Sequence, residues 1–146
     1  MRHGKIALFA GAPIGPAQAR ATRGTREEAQ ALCEKAAALL KSEGLEKAVA
    51  RFQAEDCGFV DRDLYVYLID DKGLIVVHGA MPDLVGTCGL QIMDVTGFFL
   101  VKAFLAVEDS TWIDYKWPDL VDRKIKEKSS YVIRVGNHIV GVGYYK

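Results

Sequence analysis

Apolar residues recur at helical spacing early in the chain, where Ala29, Leu32, Cys33, Ala36, Leu39 and Leu40 share one face. Thr25-Arg26-Glu27-Glu28 precedes them as a capping box, with Thr25 as N-cap and Glu28 three residues on. The spacing predicts an amphipathic helix over residues 25–41. Gly44 punctuates it, because glycine accepts the left-handed conformation at a helix end. Leu45, Ala48, Val49 and Phe52 mark the face of a second helix, which Asp56-Cys57-Gly58 ends.

The period then shortens to that of strands. Residues 64–69 are aromatic and β-branched, Asp70-Asp71-Lys72-Gly73 is a turn, and residues 74–78 return as the second strand of a hairpin. Residues 79–91, with Pro82, Gly86 and Gly89, read as a loop, and residues 95–107 as a short helix. The strand over residues 111–117 sets Trp112, Asp114 and Lys116 on one face and Ile113, Tyr115 and Trp117 on the other. A polar hairpin loop (118–126), a strand (128–135), the turn Gly136-Asn137 and a last strand (139–145) follow. Five strands joined by tight turns predict an antiparallel sheet, and helices at one end and on one face of it make an α+β domain.

A length of 146 residues fits one domain. Lys+Arg and Asp+Glu both number 19, so no basic excess exists to draw in a phosphate backbone, and nucleic acid is not an expected partner. Cys33, Cys57 and Cys88 have no C-x-x-C spacing and do not cluster with His3, His78 or His138. They read as three small buried core residues, with one disulfide plus a free thiol as the alternative for an exported chain. No metal site is expected.

Residues 1–24 read as a leader or degenerate signal peptide: Arg2, His3 and Lys5, a short apolar run, then Ala17-Gln18-Ala19. Pro13 and Pro16 break that run, which falls short of the ~20 apolar residues a membrane helix needs. The folded domain is expected over residues 25–146. No G-x-S-x-G, H-E-x-x-H, G-x-G-x-x-G or Walker A string occurs, so the chain is not expected to be an enzyme or to carry a cofactor.

The candidate chemistry is aromatic and cationic. Tyr115 and Trp117 share a face and Tyr131 lies on the neighbouring strand; such rings wall small-molecule pockets, and their hydroxyls orient ligands. Lys128 is a candidate counter-charge for a carboxylate, and His78, closing the second strand, a candidate hydrogen-bond partner. Lys116 alternates to the face opposite Tyr115.

Trp112-Ile113-Asp114-Tyr115-Lys116-Trp117-Pro118, then Lys128-Ser129-Ser130-Tyr131-Val132, then Val140-Gly141-Val142-Gly143-Tyr144-Tyr145 together resemble the single Cache domain, type 2. Asp61-Arg62-Asp63-Leu64-Tyr65-Val66-Tyr67, Asp70-Asp71-Lys72-Gly73, His78 and Asp83-Leu84-Val85-Gly86 carry the resemblance upstream. It implies a PAS-like five-stranded antiparallel sheet with a long N-terminal helix packed against it. It also implies an extracytoplasmic sensory domain for a short organic acid or similar polar ligand, in signal transduction or chemotaxis. With no transmembrane helix, the chain looks like a stand-alone member, periplasmic or membrane-associated, or cytoplasmic if the leader is not a signal. Membrane-bound relatives dimerise through the helix corresponding to residues 25–41. The alternative function is therefore a ligand-free interaction module that dimerises there. The sensory reading requires a niche between the aromatic strands with room for a guest.

Overall fold

The computed structural model describes residues 23–54 and 58–146. The expected leader, apart from Arg23 and Gly24, lies outside the described residues, as does Cys57. Among the described residues no helix is long and apolar enough to cross a membrane.

Helix α1 (Arg26–Glu43) starts where its capping box predicts: Glu28 N donates to Thr25 Oγ1 at 3.1 Å and Thr25 N to Glu28 Oε1 at 3.0 Å. Gly44, with φ 88°, ends it and begins α2 (Leu45–Gln53). Six antiparallel strands follow: β1 (Val60–Asp61), β2 (Leu64–Asp70), β3 (Ile75–His78), β4 (Ser110–Asp119), β5 (Lys124–Val135) and β6 (His138–Tyr145). The sheet order is β1-β2-β6-β5-β4, and β3 also pairs with β2. The fold is thus α+β, a helix packed on an antiparallel sheet, with one strand more than the five expected. β1 has two residues, too few to leave a period in the sequence.

Two boundaries differ from the sequence pattern for identifiable reasons. The β4–β5 ladder runs on to the Asp119–Lys124 pair, through most of the segment expected as a loop. Lys116 N points off the sheet edge to Asp94, so Pro118, two residues on, faces the same way and costs no ladder bond. The helix expected over residues 95–107 shortens to α3 (Leu100–Leu105). Asp94 Oδ1 instead accepts from Thr96 N at 2.8 Å and Phe98 N at 3.1 Å, folding those residues into a side-chain-capped turn.

The strands alternate between two cores, except at the bulge in β3, where Val76 and Val77 both pack on the α1 side. Leu64, Val66 and Leu68 of β2, Val140 and Val142 of β6, and partly buried Tyr131, Ile133 and Trp112 pack under α1. Helix α1 contributes Ala29, Cys33, Ala36 and Leu40. Small side chains there let the helix axis approach the sheet closely. On the other side Tyr65, Tyr67 and Ile69 of β2, Ile139 of β6, Val132 of β5 and Tyr115 of β4 pack against α3. β2 is therefore buried on both faces. Cys33 is fully buried, its thiol donating to the Tyr131 carbonyl at 3.3 Å, and burial pushes its pKa up. Cys88 is exposed rather than buried, because it lies on the loop bridging to Leu74 at the molecule's edge.

Candidate functional site

The segment from Gly79 through α3 folds over the second face of the sheet. Its backbone is stitched to the neighbouring hairpin: Gly86 N donates to Ile75 O (2.8 Å), Ile75 N to Thr87 O (3.0 Å) and Gly89 N to Gly73 O (2.7 Å). At its far end Asp94 Oδ2 accepts from Lys116 N at 2.9 Å. The Thr96 hydroxyl first, and then backbone donors, hold that carboxylate's pKa down at about 2.

Between cover and sheet lies a pocket ringed by aromatic side chains. Tyr67 stacks on Phe104 (centroids 5.4 Å), Phe104 meets Tyr115 edge-on (5.6 Å), and Tyr115 meets Trp117 (6.1 Å). His78 lies 4.9 Å from the Tyr65 ring and 6.2 Å from Tyr67. Ile69, Ile75, Ile92, Leu100 and Val101 make the apolar wall. The pocket is partly open to solvent, and its free space is about 20 Å³, room for about one water. A guest of several heavy atoms therefore requires the cover to shift outward.

Lys128 reaches this face because it stands directly across the ladder from Tyr115, and cross-strand partners share a face. It is 1 % exposed. Its Nζ donates to Tyr65 Oη at 2.7 Å and lies 4.3 Å from the Tyr65 ring centroid and 5.0 Å from that of Tyr145. Among the described residues no carboxylate pairs with it; Asp63 and Asp119 act on it only at longer range. Burial lowers its pKa to about 7, the distant carboxylates opposing. The glycines of β6 make room for these groups. A Cβ at Gly143 would lie 2.5 Å from Lys128 Cε, and one at Gly141 would overlap the Tyr67 ring.

The other polar groups are partly committed. Tyr115 Oη and Ser130 Oγ are 2.8 Å apart, and burial pushes the Tyr115 pKa up to about 12. Tyr67 Oη is buried beside the Tyr115 and Ser130 hydroxyls. His78 Nδ1 accepts from Ala80 N at 3.3 Å and Met81 N at 2.8 Å, which leaves the proton on Nε2. Burial first, and the Lys128 charge second, lower its pKa to about 4, so the ring is neutral near pH 7.

Four of the five residues singled out in the sequence therefore meet here: His78, Tyr115 and Trp117 line the pocket, and Lys128 adjoins it through Tyr65. Tyr131 lies on the opposite face. It pairs across the ladder with Trp112, their rings 5.1 Å apart, and its hydroxyl donates to Ser110 Oγ at 3.1 Å. Arg26 of α1 stacks over Trp112 at 4.0 Å. The hairpin register, which the alternation within single strands does not supply, separates Tyr131 from Tyr115 and joins Lys128 to it. Tyr65 and Tyr67 are pocket residues that sequence reasoning missed. Their signal was the alternation of β2, where every second residue from Tyr65 faces the cover.

A helix along one face of an antiparallel sheet and a covered aromatic pocket on the other make a PAS-like α+β domain. The chain belongs to the single Cache domain 2 family, whose model matches residues 14–146. Three solved structures share the fold. A methyl-accepting chemotaxis protein from Vibrio parahaemolyticus is 16% identical with TM-score 0.68, over 82% of this chain and 87% of that one. A periplasmic sensor domain of a chemotaxis protein is 24% identical with TM-score 0.62, over 82% and 88%. A Cache chemosensory domain, described for the structural basis of its carboxylic acid recognition, is 17% identical with TM-score 0.61, over 99% of each chain. No curated protein matches the sequence at a significant level.

Proposed function

We propose that this chain is an extracytoplasmic sensory domain that binds a short monocarboxylate in the aromatic pocket, with Lys128 as counter-charge, and catalyses no reaction. The observation that carries the reading is a buried lysine without an anionic partner beside a pocket. An isolated buried ammonium is costly, and a ligand carboxylate would relieve that cost. The His78 Nε2–H and the Tyr67 hydroxyl supply further polar groups at the same pocket. Its lining contains no Asp, Glu or Arg, so nothing there would pair with an α-amino group or a second carboxylate. The apolar wall favours a short hydrocarbon tail. Carboxylic acid recognition by a domain of the same fold is in accord with this.

The test is thermal denaturation with a panel of acetate, propionate, pyruvate, succinate and alanine. The expected result is a rise in melting temperature with the monocarboxylates alone, because a ligand that binds only the folded state stabilises it. No rise with any of them would sink the reading.

The small free volume favours a second reading, in which the protein's own side chains fill the site and α1 serves as an interaction module. The exposed side of α1 carries Glu27, Glu34, Lys35 and Lys41. Sedimentation at several concentrations decides this reading: a concentration-independent monomer that also responds to propionate leaves it without support.

A further inference from the structure

The surroundings of Lys128 are unusual for a cation. Tyr65 of β2 accepts its hydrogen bond, the Tyr65 and Tyr145 rings flank it, and Tyr115 is its cross-strand neighbour. His78 of β3 is neutral at pH 7. Asp94, Asp114, Lys116 and Glu127 line a neighbouring cavity with Lys128; the Asp94 carboxylate is taken up by the Thr96, Phe98 and Lys116 N–H groups, and Asp114 pairs with Lys146 at 3.0 Å. The tyrosine hydroxyls are neutral too, their pKa values raised by burial. The two carboxylates whose charges reach Lys128 are occupied elsewhere. Asp63 pairs with Arg23 at 3.3 Å and accepts from Gly24 N, and Asp119 pairs with Arg23 at 2.7 Å and Lys126 at 3.0 Å. No fixed anion in contact thus compels the amine to hold its proton.

We propose, on the reading of the pocket as a carboxylate site, that ligand capture is coupled to proton uptake at Lys128, so that the domain responds jointly to its ligand and to acidity. A carboxylate entering beside Nζ supplies the contact charge the protein withholds. The ion pair forms only with the ammonium, so the bound state retains a proton that the free state releases near neutrality. The free-state titration at about 7 places the crossover in the neutral range. Above it, apparent affinity falls by up to about tenfold per pH unit until the bound state also deprotonates. Well below it, affinity falls again as the ligand's own carboxyl protonates, near pH 4–5 for a carboxylic acid. The optimum lies on the acid side of neutrality.

The experiment is isothermal titration of the intact chain with propionate at pH 7.5 in phosphate and in Tris, whose ionisation enthalpies differ widely, with Kd measured from pH 6 to 9. The expected result is a buffer-dependent enthalpy corresponding to uptake of more than half a proton per ligand. Kd should be flat from pH 6 to 6.5 and rise at least tenfold by pH 8.5. In parallel, the ¹³Cε signal of Lys128 should titrate near neutrality without propionate and well above it with propionate. Binding with buffer-independent enthalpy and constant Kd would overturn the proton coupling and leave the binding site standing. Absence of binding by acetate, propionate and pyruvate at every pH, in a chain with an intact melting transition, would overturn the site and the coupling together.

Discussion

The two faces of one sheet are built on opposite principles. The face under α1 is aliphatic: Ala29, Cys33 and Ala36 are fully buried against Leu64, Leu68, Val140 and Val142, and even the Cys33 thiol has a carbonyl partner. The face under the cover holds a buried lysine, four buried tyrosines (Tyr65, Tyr67, Tyr115 and Tyr145) and a partly buried histidine. The same strands serve both, since alternate residues point to opposite sides. The first face gains stability from close packing. The second gives some of it up by burying polar groups that a guest would complete. Strain against local rules concentrates where function is expected.

Changes that exaggerate this division should have the largest effects. Lys128→Met is expected to weaken propionate binding by at least about 30-fold, given the ~2–5 kcal/mol cost of truncating one partner of a buried charge pair. The same change should raise stability in water at pH 6 by about 1–4 kcal/mol, since an uncompensated buried charge disappears. Calorimetry of binding and urea denaturation read the two effects, and a variant that still binds would remove the proposed counter-charge. Ala36→Leu should do the reverse. It overpacks the helix–sheet contact and costs about 1–3 kcal/mol, yet leaves the pocket's ligand preference unchanged.

Smaller effects follow from titration. Because the folded-state pKa of His78 is depressed to about 4 from an ordinary 6.5, the unfolded chain takes up its proton first. Stability should therefore be undiminished by His78 above pH 6.5 and decline as pH falls from 6.5 to 4. His78→Gln should flatten that part of the urea-midpoint profile. Smallest is Tyr131→Phe. It removes an exposed hydrogen bond to Ser110 on the helix side and should change ligand affinity by less than twofold. A larger change would mean that the two faces are energetically joined.

Much of this division was legible along the chain. The capping box, the turn at Asp70–Gly73 and the alternation of residues 111–117 each follow from chemistry within a few residues, and the elements lie where those signals put them. What required the fold were contacts between distant segments. β2 pairs with β6, some seventy residues away, and this sets Tyr65 against Lys128 and the Tyr67 ring over Gly141. The β4–β5 register decides that Lys128, not Tyr131, stands with Tyr115. The two glycines of β6 suggested only a weak motif in the sequence. Their purpose emerges once the Tyr67 ring and the Lys128 stem are seen lying across them.

The stitching of the cover to β3 and β4 bears on how the domain would behave in time. Admitting a guest larger than a water means stretching or breaking several main-chain hydrogen bonds together, so entry and exit would be gated by that rearrangement rather than by diffusion. Occupancy would then lag behind rapid swings in concentration and follow their running average. Such a detector would ignore brief bursts and report the prevailing level.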